Sequence, residues 1–155
     1  MKIQYNNLID ASVFLEPIFE GEYKDECLKC VNCAGRTYNG FVLNLSLGET
    51  FTRMIEEEID LTEILKYFHI VLKERRFKIL RITSESLEIS RELLNDTWFS
   101  RKIQDSIIVG NLISNKIDGL FTIDDELIRC EETIRKISRK HIGRVVNLIH
   151  PKNMF

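Results

Sequence analysis

The stretch YNNLIDASVFL, residues 5–15, sets one acid inside an apolar run. Leu8 and Ile9 read as a short buried strand, and Ala11, Val13, Phe14 and Leu15 carry the chain into the first turn of a helix. Asp10 stands at the junction. An ionised carboxylate among buried apolar groups costs roughly several kcal/mol unless it is paired, hydrogen-bonded or bound to a metal. No nearby residue in the sequence neutralises this one.

Outward from that junction, helical and strand-like segments alternate. A helix is expected over residues 16–34. A second over 46–58 sets Leu47, Phe51, Met54 and Ile55 on one face. Asp60 or Thr62 caps a third that runs to residue 76 with Leu65, Phe68 and Leu72 inward. KILRI (78–82) reads as a strand, and Thr83–Ser84 caps the helix after it, which ends near residue 95. Residues 100–116 form a helix apolar nearly all round, hence largely buried. GLFTI (119–123) is a strand, 124–140 a helix and RVVNLI (144–149) a last strand. Short apolar strands alternating with helices predict an α/β fold, a three-layer α/β/α arrangement with a central parallel sheet. The helical stretch between the first two strands is longer than one crossover needs.

The bulk numbers narrow the class. With 155 residues, 44% hydrophobic and 30% charged, the chain suits one globular domain spanning 1–155. The net charge of −2 offers no global basic field for nucleic acid. No run approaches the roughly 18 apolar residues that span a bilayer. MKIQYNNLID carries polar residues where a secretion signal would be apolar, and the four cysteines read as free thiols of a reducing compartment. The expectation is a cytoplasmic protein with no membrane contact.

Ligand sites in open parallel sheets lie at the carboxyl ends of strands. Asp10 ends the first strand and Asp124 follows LFTI at the end of the third. Asp105 stands in an otherwise apolar helix, on the side of Ile108, Val109 and Leu112, and should face inward or toward a cleft. Local sequence also allows Asp124 to be a helix N-cap and Asp105 a first-turn acid that complements the helix dipole. Several inward carboxylates suit a hard divalent cation with oxygen ligands, which can polarise a phosphoryl oxygen and activate water.

Three stretches, LIDASVFL (8–15), LSLGETF (45–51) and QDSIIVGNLISNKIDGLFTIDDEL (104–127), resemble the successive acidic motifs of the PIN-domain ribonucleases, which include the VapC-type toxins. The resemblance implies a PIN-like fold and endonucleolytic hydrolysis of RNA with Mg2+ or Mn2+. By position Asp10 matches the first family acid, Glu49 the second, Asp105 the third and Asp124 the fourth. Ser12 matches the small hydroxyl residue two positions after the first acid, and Glu126 an additional acid near the end of the last motif. That motif commonly closes in Asp-Phe, where this chain has Glu126-Leu127. Asp10, Asp105, Asp124 and Glu126 would then hold the metal, Glu49 would orient or deprotonate the attacking water, and Ser12 would support a carboxylate or a water. By residue pattern alone Glu49 reads as a surface glutamate off the core face. The family setting implies a toxin with a cognate antitoxin, forming a homodimer. A housekeeping RNA-processing nuclease and a catalytically silent PIN-like module that binds RNA or protein are the alternatives.

A polyanionic substrate needs positive charge at the rim. Arg101 and Lys102 lie one turn before Asp105. Arg135 and Arg139 belong to the densest basic group, which also includes Lys136, Lys140 and Arg144, and Lys73, Arg75, Arg76 and Lys78 form another. CLKCVNC places Cys27, Cys30 and Cys33 at three-residue steps. That spacing invites a zinc reading, but on a helix it covers one broad face, so packed thiols fit better. His69 lies in a core-like helix and is read as structural. A phosphatase of the haloacid-dehalogenase type would need an Asp where Ser12 stands. A receiver domain would need paired acids before its site Asp, and these are missing.

Overall fold

A computed structural model of the chain describes residues 5–154. The ends of the 1–155 span, and the first four residues of the stretch read as free of a secretion signal, lie outside the described residues. The element order is β1 (Tyr5–Ile9), α1 (Ala11–Ile18), α2 (Lys24–Cys33), β2 (Tyr38–Leu43), α3 (Asn44–Glu56), α4 (Leu61–His69), β3 (Lys78–Leu80), α5 (Ser84–Leu93), α6 (Ile103–Ser114), β4 (Gly119–Phe121), α7 (Asp125–Ile128), α8 (Glu131–Ile142) and β5 (Asn147–Ile149). Among the described residues the strands form one five-stranded sheet in the order β3-β2-β1-β4-β5. All the pairings are parallel. The fold is the expected three-layer α/β/α arrangement.

The pleat sorts the core. Leu8, Leu43, Leu120 and Leu148 point to one side of the sheet, where they meet Ile89, Leu93, Ile108, Leu112 and Ile134 from α5, α6 and α8. Their strand neighbours Ile9, Val42 and Phe121 point to the other side, against Val13 and Phe14 of α1 and Cys27 and Cys30 of α2. Residues one step apart alternate faces, so both sides of every central strand are apolar, as an all-parallel sheet requires.

The sequence reading missed β2. YNGFVL carries the aromatic and β-branched residues of a strand, and it pairs with all of β1 from Tyr38 to Val42. Its presence explains why the interval before KILRI was too long for one crossover: it holds two. The helix expected over 16–34 is also two helices. Pro17 cannot donate to the helical ladder, α1 ends at Ile18, and the Gly21 amide bonds back to the Glu16 carbonyl at 3.0 Å. The Glu16 carboxylate then accepts the Tyr23 amide at 3.0 Å. A Cβ at Gly21 would occupy the space of that carboxylate. At the far end, residues 124–140 divide into α7 and α8, and α4 passes into a π-helical turn at Ile70–Glu74.

Two helix faces are rotated from expectation. The buried positions of α3 are Ser46, Thr50 and Met54, leaving Phe51 and Ile55 exposed. On α4 Ile64 is buried, while Leu65 is 68% exposed. His69 is exposed. In both helices the apolar periodicity was real, but part of it serves the surface. Other local signals hold. Asp60 caps α4 through the Thr62 amide at 2.8 Å, and Thr83 with Ser86 forms a reciprocal capping box on α5. Cys27 and Cys30 are fully buried in the core, and burial pushes their thiols up to about 12. Cys130 packs against the opposite side of the sheet.

Small residues set the closest helix contact. Ser90 of α5 donates to the Ser106 carbonyl of α6 at 2.8 Å, and Gly110 faces the Ser86 carbonyl and the Ser90 hydroxyl with no room for a Cβ. A larger side chain must push α5 away from α6. Gly110→Val should destabilise the protein by about 1–3 kcal/mol, read as a lower urea midpoint with an unchanged slope.

Candidate active site

The strand order reverses between β1 and β4, and open parallel sheets leave a crevice at such a point, outside the carboxyl ends of the strands. Asp10 follows β1 there, and Thr122 and Asp124 follow β4. The Asp10 amide donates to the Phe121 carbonyl at 3.0 Å, which continues the ladder one residue past the strand and fixes the side chain at its end.

Two hydroxyls meet Asp10, which is half-buried at the cavity wall. Ser12 donates to Asp10 Oδ2 at 2.7 Å and Thr122 donates to the same oxygen at 3.0 Å. Burial raises the Asp10 carboxyl above its ordinary value, while the Ser12 and Thr122 bonds pull it down. Thr122 Oγ1 also accepts the Asp124 amide at 3.1 Å, so one hydroxyl links two acids. Asp124 Oδ1 accepts the Glu126 and Leu127 amides at 3.0 and 3.2 Å. Both readings of Asp124 therefore hold: it is the N-cap of α7, and it lines the crevice.

From across the crevice α3 contributes Glu49 and the first turn of α6 contributes Gln104 and Asp105. Asp10, Ser12, Glu49, Asp105 and Asp124 line one cavity of about 350 Å³. Asp105 is both the dipole-complementing acid of α6 and a wall of this cavity. Its carboxyl is pushed up to about 6, by burial first and then by the charges of Asp10 and Asp124. Glu49 is likewise raised, by burial and by Asp10, while Gln104 Nε2 bonds its Oε2 at 2.7 Å. Glu49 faces the site because α3 buries Ser46, Thr50 and Met54 instead of the predicted stripe. Among the described residues none of these four acids is in an ion pair.

The other expected residues are distributed differently. Glu126 is exposed and pairs with Lys102 at 3.0 Å, outside the cavity lining. Lys102 also lies 5.0 Å from the Trp98 ring centroid and lowers the Asp105 carboxyl by its charge, which puts it at the rim. Arg101 is exposed in the turn just before it. Arg135 is engaged by Glu131 at 2.8 Å and donates to Asn147, the first residue of β5, at 3.3 Å. Arg139 lies in the last turn of α8, further toward the same amino end of the sheet. The densest basic group thus sits at the end opposite the acids, because α8 runs antiparallel to the strands. Arg53, Gln104 and Thr122 were missed by sequence reading. Arg53 lines the cavity beside Glu49, one helical turn away. The alternation of Thr122 with Asp124 after a strand was the signal available for Thr122.

Hard oxygen donors outside any ion pair suit Mg2+ or Mn2+. Among the described residues no three Asp, Glu, His or Cys side chains converge tightly enough to close on one ion by themselves. That spacing fits a hard ion that keeps several waters and shares one or two carboxylates with substrate phosphates, as Mg2+ does.

The raised carboxyls have a stability consequence. Below the ordinary Asp value near 4, Asp105 is protonated in folded and unfolded chains alike. Between about 4 and 6 only the unfolded chain ionises, so stability falls as pH rises, and above 6 the full penalty remains. In chelator-treated buffer, Asp105→Asn should melt higher than the parent at pH 7.5, and the gain should vanish near pH 4. Equal melting curves at pH 7.5 would contradict the assigned electrostatics.

No family model matches the chain, and no curated protein matches it by sequence. Solved structures do. A toxin-antitoxin complex from Klebsiella pneumoniae aligns with a TM-score of 0.61 at 14% identity, covering 94% of this chain and 97% of that one. VapC20 of Mycobacterium tuberculosis, a sarcin-ricin loop cleaving toxin, aligns at 0.61 and 14%, covering 78% and 92%. FitAcB from Neisseria gonorrhoeae aligns at 0.63 and 10%, covering 96% and 99%. By its strand order, its parallel sheet and these alignments, the chain has the PIN-like fold of the VapC toxins.

Proposed function

We propose that the chain is a divalent-metal-dependent endoribonuclease that acts as the toxin of a toxin–antitoxin pair. The observation that carries this reading is the convergence of Asp10, Glu49, Asp105 and Asp124 on one cavity at the switch point of a parallel sheet. These acids are far apart in the chain, and there the charges of Asp10 and Asp124 add to burial in raising Asp105. Asp10, Asp105 and Asp124 would hold Mg2+ or Mn2+, directly or through its bound waters, and the ion would offset negative charge on the phosphoryl oxygens and the attacking water.

The remaining work falls to the chain itself. Ser12 and Thr122 hold Asp10 in one orientation. Gln104 fixes one oxygen of Glu49, leaving the other to orient a water and accept its proton. A carboxyl raised by burial is a better base near neutral pH than a solvated one. The water oxygen attacks phosphorus in line, the bond to the 3′-oxygen breaks, and the products are a 5′-phosphate and a 3′-hydroxyl. Lys102 at the rim is placed to meet a backbone phosphate, which would make binding fall with salt.

Exposed Phe51 and Ile55 on α3, with Leu61 and Leu65 on α4, supply apolar surface for an antitoxin or a second copy of the chain. One of the structural neighbours is a toxin-antitoxin complex, which supports such a partner. Among the described residues no helix is long and apolar enough to cross a membrane.

Purified protein should cut single-stranded RNA with Mn2+, stop on addition of EDTA, and lose cleavage to background in Asp10→Asn with its circular dichroism intact. An active Asp10→Asn variant, or cleavage indifferent to EDTA, would refute the mechanism. A folded parent without metal-dependent turnover would leave the silent module. Induced expression should arrest growth for the parent and not for Asp10→Asn.

A further inference from the structure

Beside the acidic cavity lies a second and larger one, about 570 Å³, that the proposed hydrolysis does not use. Glu49, Arg53 and Gln104 line both, so the two adjoin. One wall is α3, through Asn44, Leu45, Gly48 and Thr52. The other is Ile82, just past β3, and Gln104 at the start of α6. Asn44, Gly48, Thr52, Arg53, Ile82 and Gln104 are exposed, so the cavity is an open groove.

Gly48 is the unexplained residue. A glycine inside a helix costs about 1 kcal/mol relative to alanine, and leaving room for a packed neighbour normally accounts for one. Gly110 in α6 has that reason, since a Cβ there would meet packed atoms. At Gly48 an added Cβ meets nothing within 4 Å. Gly48 is exposed, and what it leaves is open space on the floor of the groove.

The polar groups around that space are already oriented. Asn44 Oδ1 accepts the Leu45 amide at 2.8 Å, so the donor this side chain has to offer is its amide nitrogen. Gln104 Nε2 is committed to Glu49, which leaves its Oε1 as an acceptor. Leu45 and the 37% exposed Ile82 supply apolar contact. A planar group with an apolar face and an edge of mixed donors and acceptors matches these walls, and an unstacked base has that chemistry.

We propose that this cavity is a nucleobase subsite that takes an unpaired base of the RNA next to the phosphate held over the acids. The inference rests on the ribonuclease reading for the identity of the polymer, but it can be tested without turnover. In EDTA, binding of the four ribo-homotetranucleotides and of a tetranucleotide of abasic ribose phosphates is measured by fluorescence anisotropy. The parent should bind at least one homotetramer about tenfold more tightly than the abasic strand, the scale of a single base contact. Gly48→Leu should remove that difference and leave abasic binding unchanged. Thr52→Phe, at an exposed position one turn along α3, should weaken base-dependent binding similarly, and matched thermal melts show that both variants fold.

Equal affinity for abasic and base-bearing strands, or base-dependent binding unaltered in both folded variants, overturns the subsite. If the parent never cleaves RNA but base-dependent binding disappears in Gly48→Leu, the subsite stands and the nuclease reading falls. If the parent cleaves RNA yet binds abasic strands equally well, the nuclease reading stands and the subsite falls.

Discussion

Asp10 stays in the interior because β1 and β4 lie side by side and end together. The amide of Asp10 closes on the Phe121 carbonyl, and the hydroxyl of Thr122 closes on its carboxylate. Without that pairing the half-buried acid would keep only the Ser12 hydroxyl as a partner, at a cost to folding. With it, the strand-order reversal at the same place opens a crevice, and α1, α3, α6 and α7 are directed toward its mouth. The five-stranded sheet is therefore the frame that brings the acids together.

The arrangement is costly to the empty fold. Burial and mutual repulsion raise Asp10, Glu49 and Asp105 together, and the nearby charges of Arg53 and Lys102 only partly offset this. The basic residues of α8 and the turn after it are spent at the other end of the sheet, on Asp118 through Arg144 at 2.5 Å and on Asn147 through Arg135. A site that concentrates one sign of charge is suited to a cation and to whatever anion the cation recruits. The local sacrifice of stability is the pattern expected where function competes with packing.

The same fold at 10–14% identity to these structural neighbours follows from how little the architecture demands of particular residues. Alternating leucine and β-branched positions build both faces of the sheet, and many apolar choices fill them. The helix surfaces are freer still. Ile55, Leu61 and Leu65 of α3 and α4 stay exposed outside this chain's own core.

The primary chain determined the α/β alternation, the capped starts of α4 and α5, the buried thiols of α2, and the acids at the ends of β1 and β4. These are local matters of period, cap chemistry and apolar run length. The extent of β2 was legible too, in its aromatic and β-branched residues, but it was hidden between segments read as helical. Glu49 was legible only through resemblance, because the apolar periodicity of α3 pointed to the wrong face. Tertiary structure alone decided that Ser46, Thr50 and Met54 are the buried side of that helix, that Arg135 and Arg139 lie far from the acids, and that Thr122 and Gln104 hold two of them. Those outcomes depend on which surfaces of distant elements meet, and helical period records a preference for burial without recording what does the burying.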